Sequence, residues 1–203
     1  MDFDTAWNAL GVAGQRALEL AWQSFISGDK GIGAVLADDN GTLMADGRNR
    51  SISGSPVAQA EIEALGKLRP GSYQSWTLTT TLQPCPMCAS AIALSGVGKV
   101  HNMAPDPTAV GVDRLPDFIG SLAADWPEMS GPEKTAIDEF CQLLSAYHPV
   151  RNKPRGTLAK LYGASHPALV TFASNRWQPD MSDSVRDAAF AIWDELTLIR
   201  THG

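Results

Sequence analysis

Cysteine is scarce in this 203-residue chain: Cys85, Cys88 and Cys141 are the whole complement. Three is too few, and an odd number, for a disulfide-stapled secreted scaffold. Long hydrophobic runs are missing too; none approaches the ~18 residues of a membrane-spanning helix. Positive charge is in deficit, with 16 Lys and Arg against 22 Asp and Glu and a net charge of −6. A protein that neutralises many phosphates usually carries a basic face. The short cluster Arg151, Lys153 and Arg155 reads instead as a solvated loop. The balance argues against nucleic acid and for a small-molecule partner. The opening Met1-Asp2-Phe3-Asp4 also lacks the basic-then-apolar pattern of a secretory signal. A cytoplasmic protein with no membrane association is the expectation.

What is present is enough apolar material to fold. Hydrophobic residues make up 44% of the chain, and its length suits one domain or one domain with an extension. Trp7, Leu10, Leu18, Ala21 and Phe25 recur at helical spacing between Thr5 and Ser27, and Gly28 supplies a stop. Gly31 to Ala37 reads as a buried strand. Asp38-Asp39-Asn40-Gly41 then turns the chain into a returning strand from Thr42 to Arg48. Ala58 to Leu68 reads as a helix and threonine-rich Ser75 to Leu82 as a strand. Pro86 to Ser95 reads as a helix with proline in its first turn, closed by Gly96, and Val97 to Met103 as a strand. Strands alternating with helices in this way imply a layered α/β domain.

Beyond Ala104 the pattern changes. Pro105, Pro107 and Pro116 break the chain into loop. Ser130-Gly131-Pro132-Glu133 offers a capping box for a helix carrying Ile137, Phe140, Cys141 and Leu144 on one face. Cys141 there is expected to act as a small buried hydrophobe. Ser182 is positioned to cap a last helix with a stripe of Val185, Ala189, Ile192, Leu196 and Ile199.

Two short pieces carry chemistry. Gln59-Ala60-Glu61 opens one helix, and Pro84-Cys85-Pro86-Met87-Cys88 opens the next. A thiolate is the form of cysteine that binds metal or attacks. Cys85 and Cys88 at a helix start sit against the positive end of the dipole, which favours that charge. Alone, C-x-x-C serves redox motifs and zinc sites alike. Glu61 alone reads as a surface glutamate. Their order, with 24 positions from Glu61 to Cys85 and a strand between, brings two helix starts to one sheet edge.

These residues resemble the zinc nucleobase deaminase signature, H-x-E followed by P-C-x-x-C. The flanking Gly47-Arg48-Asn49-Arg50 and Thr80-Thr81-Leu82-Gln83 fit the same pattern. The chain thus resembles the cytidine-deaminase-like superfamily, in its branch of guanine, cytosine and tRNA adenosine deaminases, over about residues 5 to 115. The resemblance implies a three-layer α/β/α fold with a mixed central sheet in residues 1–115. The helical pattern beyond that shared core reads as a mainly helical C-terminal extension, 116–203, expected to pack on the core or to form an oligomer interface, and a homodimer is expected. It further implies Zn²⁺ held by Cys85, Cys88 and a third ligand at position 59, with Glu61 as the catalytic proton shuttle. Asn49 would hydrogen-bond a base or nucleoside, and the backbone at Ala60 and Cys85 would line the site. The implied reaction is hydrolytic deamination of a purine, a pyrimidine or a related amidine heterocycle.

The departure is at position 59, where glutamine replaces the signature's histidine. An amide oxygen is a weaker zinc donor than an imidazole nitrogen. Zinc on Cys85, Cys88 and Gln59 is one outcome. A site without zinc, used only for binding or regulation, is another. A third is a replacement ligand among His101, His148, His166 and His202. A C-x-x-C redox protein is a weaker reading, because it leaves Glu61 without a role.

Overall fold

The computed structural model describes residues 1–181 and 184–202. It opens with α1 (Phe3–Ala9), capped by the Asp2 carboxylate accepting from the Thr5 N–H, and α2 (Gly11–Ile26). The single helix expected from Thr5 to Ser27 is therefore two, broken at Gly11. That residue adopts φ 61°, a left-handed conformation glycine reaches without the Cβ clash of other residues.

The hairpin follows as expected: β1 (Gly33–Ala37) and β2 (Leu43–Arg48) pair antiparallel, with a register shift at Leu36/Ala37. Asp38 Oδ1 accepts from the backbone N–H groups of Asn40 and Thr42, and Gly41 takes φ 79°, so the turn is built by its own residues. Next come α3 (Ala60–Leu65), β3 (Thr77–Thr80), α4 (Pro86–Leu94) and β4 (Lys99–Asn102). Each lies inside the range read from the sequence and is shorter at one or both ends.

The sheet runs in the order β2-β1-β3-β4, with β1 antiparallel to both neighbours and β3 parallel to β4. Every residue of β1 is buried, which accounts for its unbroken Gly-Ala-Val-Leu-Ala composition. Glycine lets helices approach both faces. A Cβ on Gly33 would stand 2.1 Å from the Ala17 carbonyl oxygen of α2, and one on Gly47 would stand 2.2 Å from the Ala60 carbonyl oxygen of α3. So α2 covers one face and α3 the other, giving a three-layer α/β/α arrangement around a mixed sheet.

The later chain holds the larger surprises. After short helices α5 (Leu115–Phe118) and α6 (Gly120–Ala123), β5 (Glu128–Ser130) adds a fifth, parallel strand beside β4. Three residues give no alternation to read, and the pairing with Lys99–His101 creates the strand. Ser130 is consequently not a helix cap. The capping box belongs to Thr135 and Asp138, at the start of α7 (Ala136–Asn152). That helix is buried on more than the face expected: Leu143 and Ala146 are as enclosed as Ile137, Phe140, Cys141 and Leu144. Its surroundings explain this, because α2 packs on one side and α8 (Thr157–Ser165) and α9 (Pro167–Asn175) on others. The last segment forms α10 (Val185–Ala191) and α11 (Trp193–His202), where one helix was expected. Ser184 caps α10, and Ser182 lies outside the described residues. No helix among the described residues is long and apolar enough to cross a membrane.

Candidate active site

The site is assembled where α3 and α4 begin. Gln59 is the N-cap residue of α3 and Cys85 that of α4, with Pro86 in the first turn. The Gln59 Oε1 atom lies 3.3 Å from Cys85 Sγ and 3.3 Å from Cys88 Sγ. Residues separated by 26 and 29 positions thus converge on one amide oxygen. Cys88 is fully buried, Cys85 partly, and all three cysteines are free thiols.

The two thiols are strongly coupled. A hydrogen bond from the Cys88 thiol, aided by the backbone N–H groups of Cys88 and Met87, holds Cys85 down at about 6, although burial opposes it. The same pairing, with burial and the nearby Glu61 charge, pushes Cys88 upward. Two adjacent thiolates are costly here without a cation between them.

Glu61 is 3% exposed. Burial raises its pKa, against the lowering influence of hydrogen bonds from Thr80 and Cys88. Thr80 Oγ1 is 2.8 Å from Glu61 Oε1 and 3.2 Å from the Leu82 carbonyl oxygen. One hydroxyl proton cannot serve both acceptors. The Thr80 hydroxyl therefore divides its donation between the Glu61 carboxyl oxygen and the Leu82 carbonyl.

Asn49 lies at the end of β2 and is 1% exposed. Its Oδ1 accepts from the Ser51 N–H at 2.9 Å and the Ser51 hydroxyl at 2.7 Å. A backbone N–H can only donate, so the amide orientation is determined and Nδ2 is left to donate elsewhere. Asn49, Gln59, Glu61 and Cys85 line a small polar cavity of about 70 Å³. Ala60 is not among the residues that line it; its carbonyl faces Gly47 of the sheet.

Part of the wall was not legible in the sequence. Lys30 and Ile32 come from the approach to β1, and Asp106 and Thr108 from the loop after β4. Ser145 of α7 and Leu158 and Tyr162 of α8 close the far side. The turn formed when Asp106 Oδ1 accepts from the Thr108 N–H has an Asp-Pro-Thr signature. Nothing in the pattern of α8 marked it as part of a site.

His101, His148 and His166 do not supply a third metal ligand here. His101 pairs with Glu133 and Ser130, His148 with the Phe25 carbonyl, and His166 with the Ser165 hydroxyl. The side chain of His202 lies outside the described residues. Among the described residues no three His, Cys, Asp or Glu side chains form a metal cluster. The donor set that remains is Cys85, Cys88 and Gln59. In a tetrahedral site, Zn–S and Zn–O bonds of about 2.3 and 2.1 Å separate sulfur from oxygen by roughly 3.6 Å. The observed 3.3 Å separations are within a few tenths of that, and a dication would relieve the repulsion between thiolates. The residues fit the ion.

A mixed α/β/α sheet, with a buried glutamate and two cysteines meeting at adjacent helix starts, defines a deaminase-type domain. The profile of the cytidine and deoxycytidylate deaminase zinc-binding region matches residues 12–104, and the chain belongs to that family. It is 43% identical over 89 residues to a tRNA-specific adenosine deaminase of Haemophilus influenzae, covering 41% of this chain and 51% of that one. It is 36% identical over 90 residues to a cytosine deaminase of Candida albicans, covering 42% of this chain and 60% of the other. The chain thus spans about half to three fifths of these curated relatives. A solved structure of a point mutant in complex with 8-azaguanine is 30% identical; the match covers 65% of this chain and 80% of that one, with a TM-score of 0.51.

Proposed function

We propose that this protein catalyses hydrolytic deamination of a purine or pyrimidine base, a nucleoside or a related amidine heterocycle. The observation that carries the reading is the enclosure of Glu61 beside Cys85 and Gln59 at the wall of one polar cavity, with Cys88 in contact with the Gln59 amide oxygen. Cys85, Cys88 and the Gln59 amide oxygen would hold Zn²⁺. When bound, that ion supplies Lewis acidity that lowers the pKa of a water towards neutrality. Glu61 then takes a proton from the attacking water and delivers it to the ring nitrogen as the C–O bond forms. The second water proton passes by the same carboxylate to the departing amine, the C–N bond breaks, and ammonia leaves. Burial suits Glu61 to this work, since a raised pKa lets it carry the proton between steps. The Asn49 Nδ2 group would hold an acceptor on the ring. We further propose that residues 1–115 form the catalytic core and 116–203 an extension covering the cavity; Ser145, Leu158 and Tyr162 in its wall support this.

One observation favours a second reading, a deaminase-fold binding or regulatory protein: Gln59 stands where the signature has histidine. The two are separated by measuring zinc content and ammonia release in the wild-type chain, in Glu61→Gln and in Gln59→His. The catalytic reading expects zinc near one per chain and ammonia release lost in Glu61→Gln. A wild type without zinc or turnover, with both appearing in Gln59→His, makes it a binding protein disarmed by one residue.

A further inference from the structure

We infer that the helical extension selects the substrate, admitting a free heterocyclic base and excluding its nucleoside, with the Tyr162 hydroxyl as the specificity-determining group. The inference rests on reading the cavity as a heterocycle site; it adds the class of ligand and the residue that chooses it.

Three observations carry it. The cavity is closed on one side by the core, through Asn49, Glu61 and Cys85, and on the other by Ser145, Leu158 and Tyr162 from helices more than fifty residues later in the chain. Its volume of about 70 Å³ is far below the roughly 300–1,000 Å³ of pockets that enclose drug-sized ligands. A single small ring is the scale that fits, and a ribose attached to it would exceed the enclosed space, whose wall includes Leu158 and Tyr162 of α8.

The third observation is the Tyr162 hydroxyl. Tyr162 is 2% exposed, and its oxygen is one of three buried side-chain polar atoms without a hydrogen-bond partner among the described residues. The Ser145 hydroxyl is the neighbouring polar side chain, but it is not placed for a well-formed hydrogen bond, and the Asp106 carboxylate adds negative charge nearby. Native proteins rarely leave a buried hydroxyl unsatisfied, because its desolvation is then uncompensated. A hydroxyl in the wall of a polar cavity is satisfied when a ligand presents an acceptor. With Asn49 Nδ2 as a second donor, the cavity is matched to a ring bearing carbonyl or unprotonated ring-nitrogen acceptors. A binding role and a structural role for this hydroxyl make opposite demands on stability. Removing an unsatisfied buried hydroxyl leaves the fold as stable or more stable, whereas removing a structural one weakens it.

The test uses the full chain carrying Glu61→Gln, so that binding is read without turnover. Calorimetric titrations compare cytosine, adenine and guanine with cytidine, adenosine and guanosine, with Tyr162 present or replaced by phenylalanine. Expected are binding of at least one base, a nucleoside counterpart at least about tenfold weaker, and a loss of about tenfold in base affinity in Tyr162→Phe. The thermal midpoint should stay level or rise. The inference is overturned if Tyr162→Phe binds the base as before, if its midpoint falls, if nucleosides bind as tightly as bases, or if none of the six binds. The reaction is judged separately. Tyr162-dependent base binding without ammonia release by the wild-type chain sinks the deaminase reading alone, and turnover with Tyr162-independent binding sinks this one alone.

Discussion

Replacing Gly47 with alanine should disable the site without touching any residue in it. Gly47 lies on β2 opposite Ala34 of β1, on the face that α3 covers. The new Cβ would stand 2.2 Å from the Ala60 carbonyl oxygen, 2.6 Å from the Ala64 nitrogen and 2.9 Å from Glu63 Cβ. The two closest atoms are helix backbone, so no change of side-chain rotamer relieves the contact. Ordinary contact begins near 3.4 Å, so α3 has to retreat bodily by roughly 1 Å. Overpacking of this kind costs about 1–3 kcal/mol. At roughly 2–4 °C per kcal/mol for a chain of this size, the melting midpoint should fall by about 2–12 °C.

The functional loss should be larger, because α3 carries both Gln59 and Glu61 while the cysteines ride on α4. A displacement of about 1 Å at reacting groups lowers turnover on the order of 100-fold, and zinc content should fall with it. Gly163→Ala is the matched control: it lies in α8 with nothing within 4 Å of the new Cβ. It should raise stability by up to about 1 kcal/mol, as the helix gains a better former. Thermal melts, zinc analysis and ammonia release on the three proteins check the reasoning. If Gly47→Ala matched the wild type in midpoint and zinc content, close helix–sheet approach would not be what positions this site.

Two further outcomes follow from polar groups that bridge separate elements. Thr80→Val removes the hydroxyl shared by Glu61 and the Leu82 carbonyl, and should cost about 1–3 kcal/mol in denaturant unfolding by leaving buried acceptors unpaired; an unchanged midpoint would show that these groups find other partners. Asp46 is bonded to Lys67 and Arg16, and those partners, Lys67 foremost, hold its pKa below the ordinary carboxylate value. A depressed carboxylate contributes stability above its unfolded pKa and loses it as pH falls through the folded one. Asp46→Asn should therefore lower the midpoint at pH 7, with a difference that shrinks below about pH 4. A difference that stayed constant down to pH 2 would remove these ion pairs from the account.

Much of the site was written locally. The proline before and after Cys85, the C-x-x-C spacing and the Gln59-Ala60-Glu61 triplet each act through neighbours within one helical turn. They could be read without knowing where the helices went. The same holds for β1, whose apolar run belongs to a strand buried on both faces, and for the Asp38–Gly41 turn. The breaks at Gly11 and Ile192 escaped because apolar periodicity continues across both, and only the backbone path shows that the helix does not. β5 escaped because three residues carry no period.

What the amino-acid order determined by itself is the set of reactive groups and the elements that present them, since capping, turn and period-two signals operate over a few residues. Tertiary packing alone decided that the Gln59 oxygen faces both sulfurs. It also decided that Glu61 is shut away from water, and that α7 and α8 bring Ser145, Leu158 and Tyr162 over the cavity. Those contacts join positions from 26 to more than 100 apart. Burial, which raises the pKa of Glu61 and isolates the Tyr162 hydroxyl, exists only once those distant segments have closed on one another.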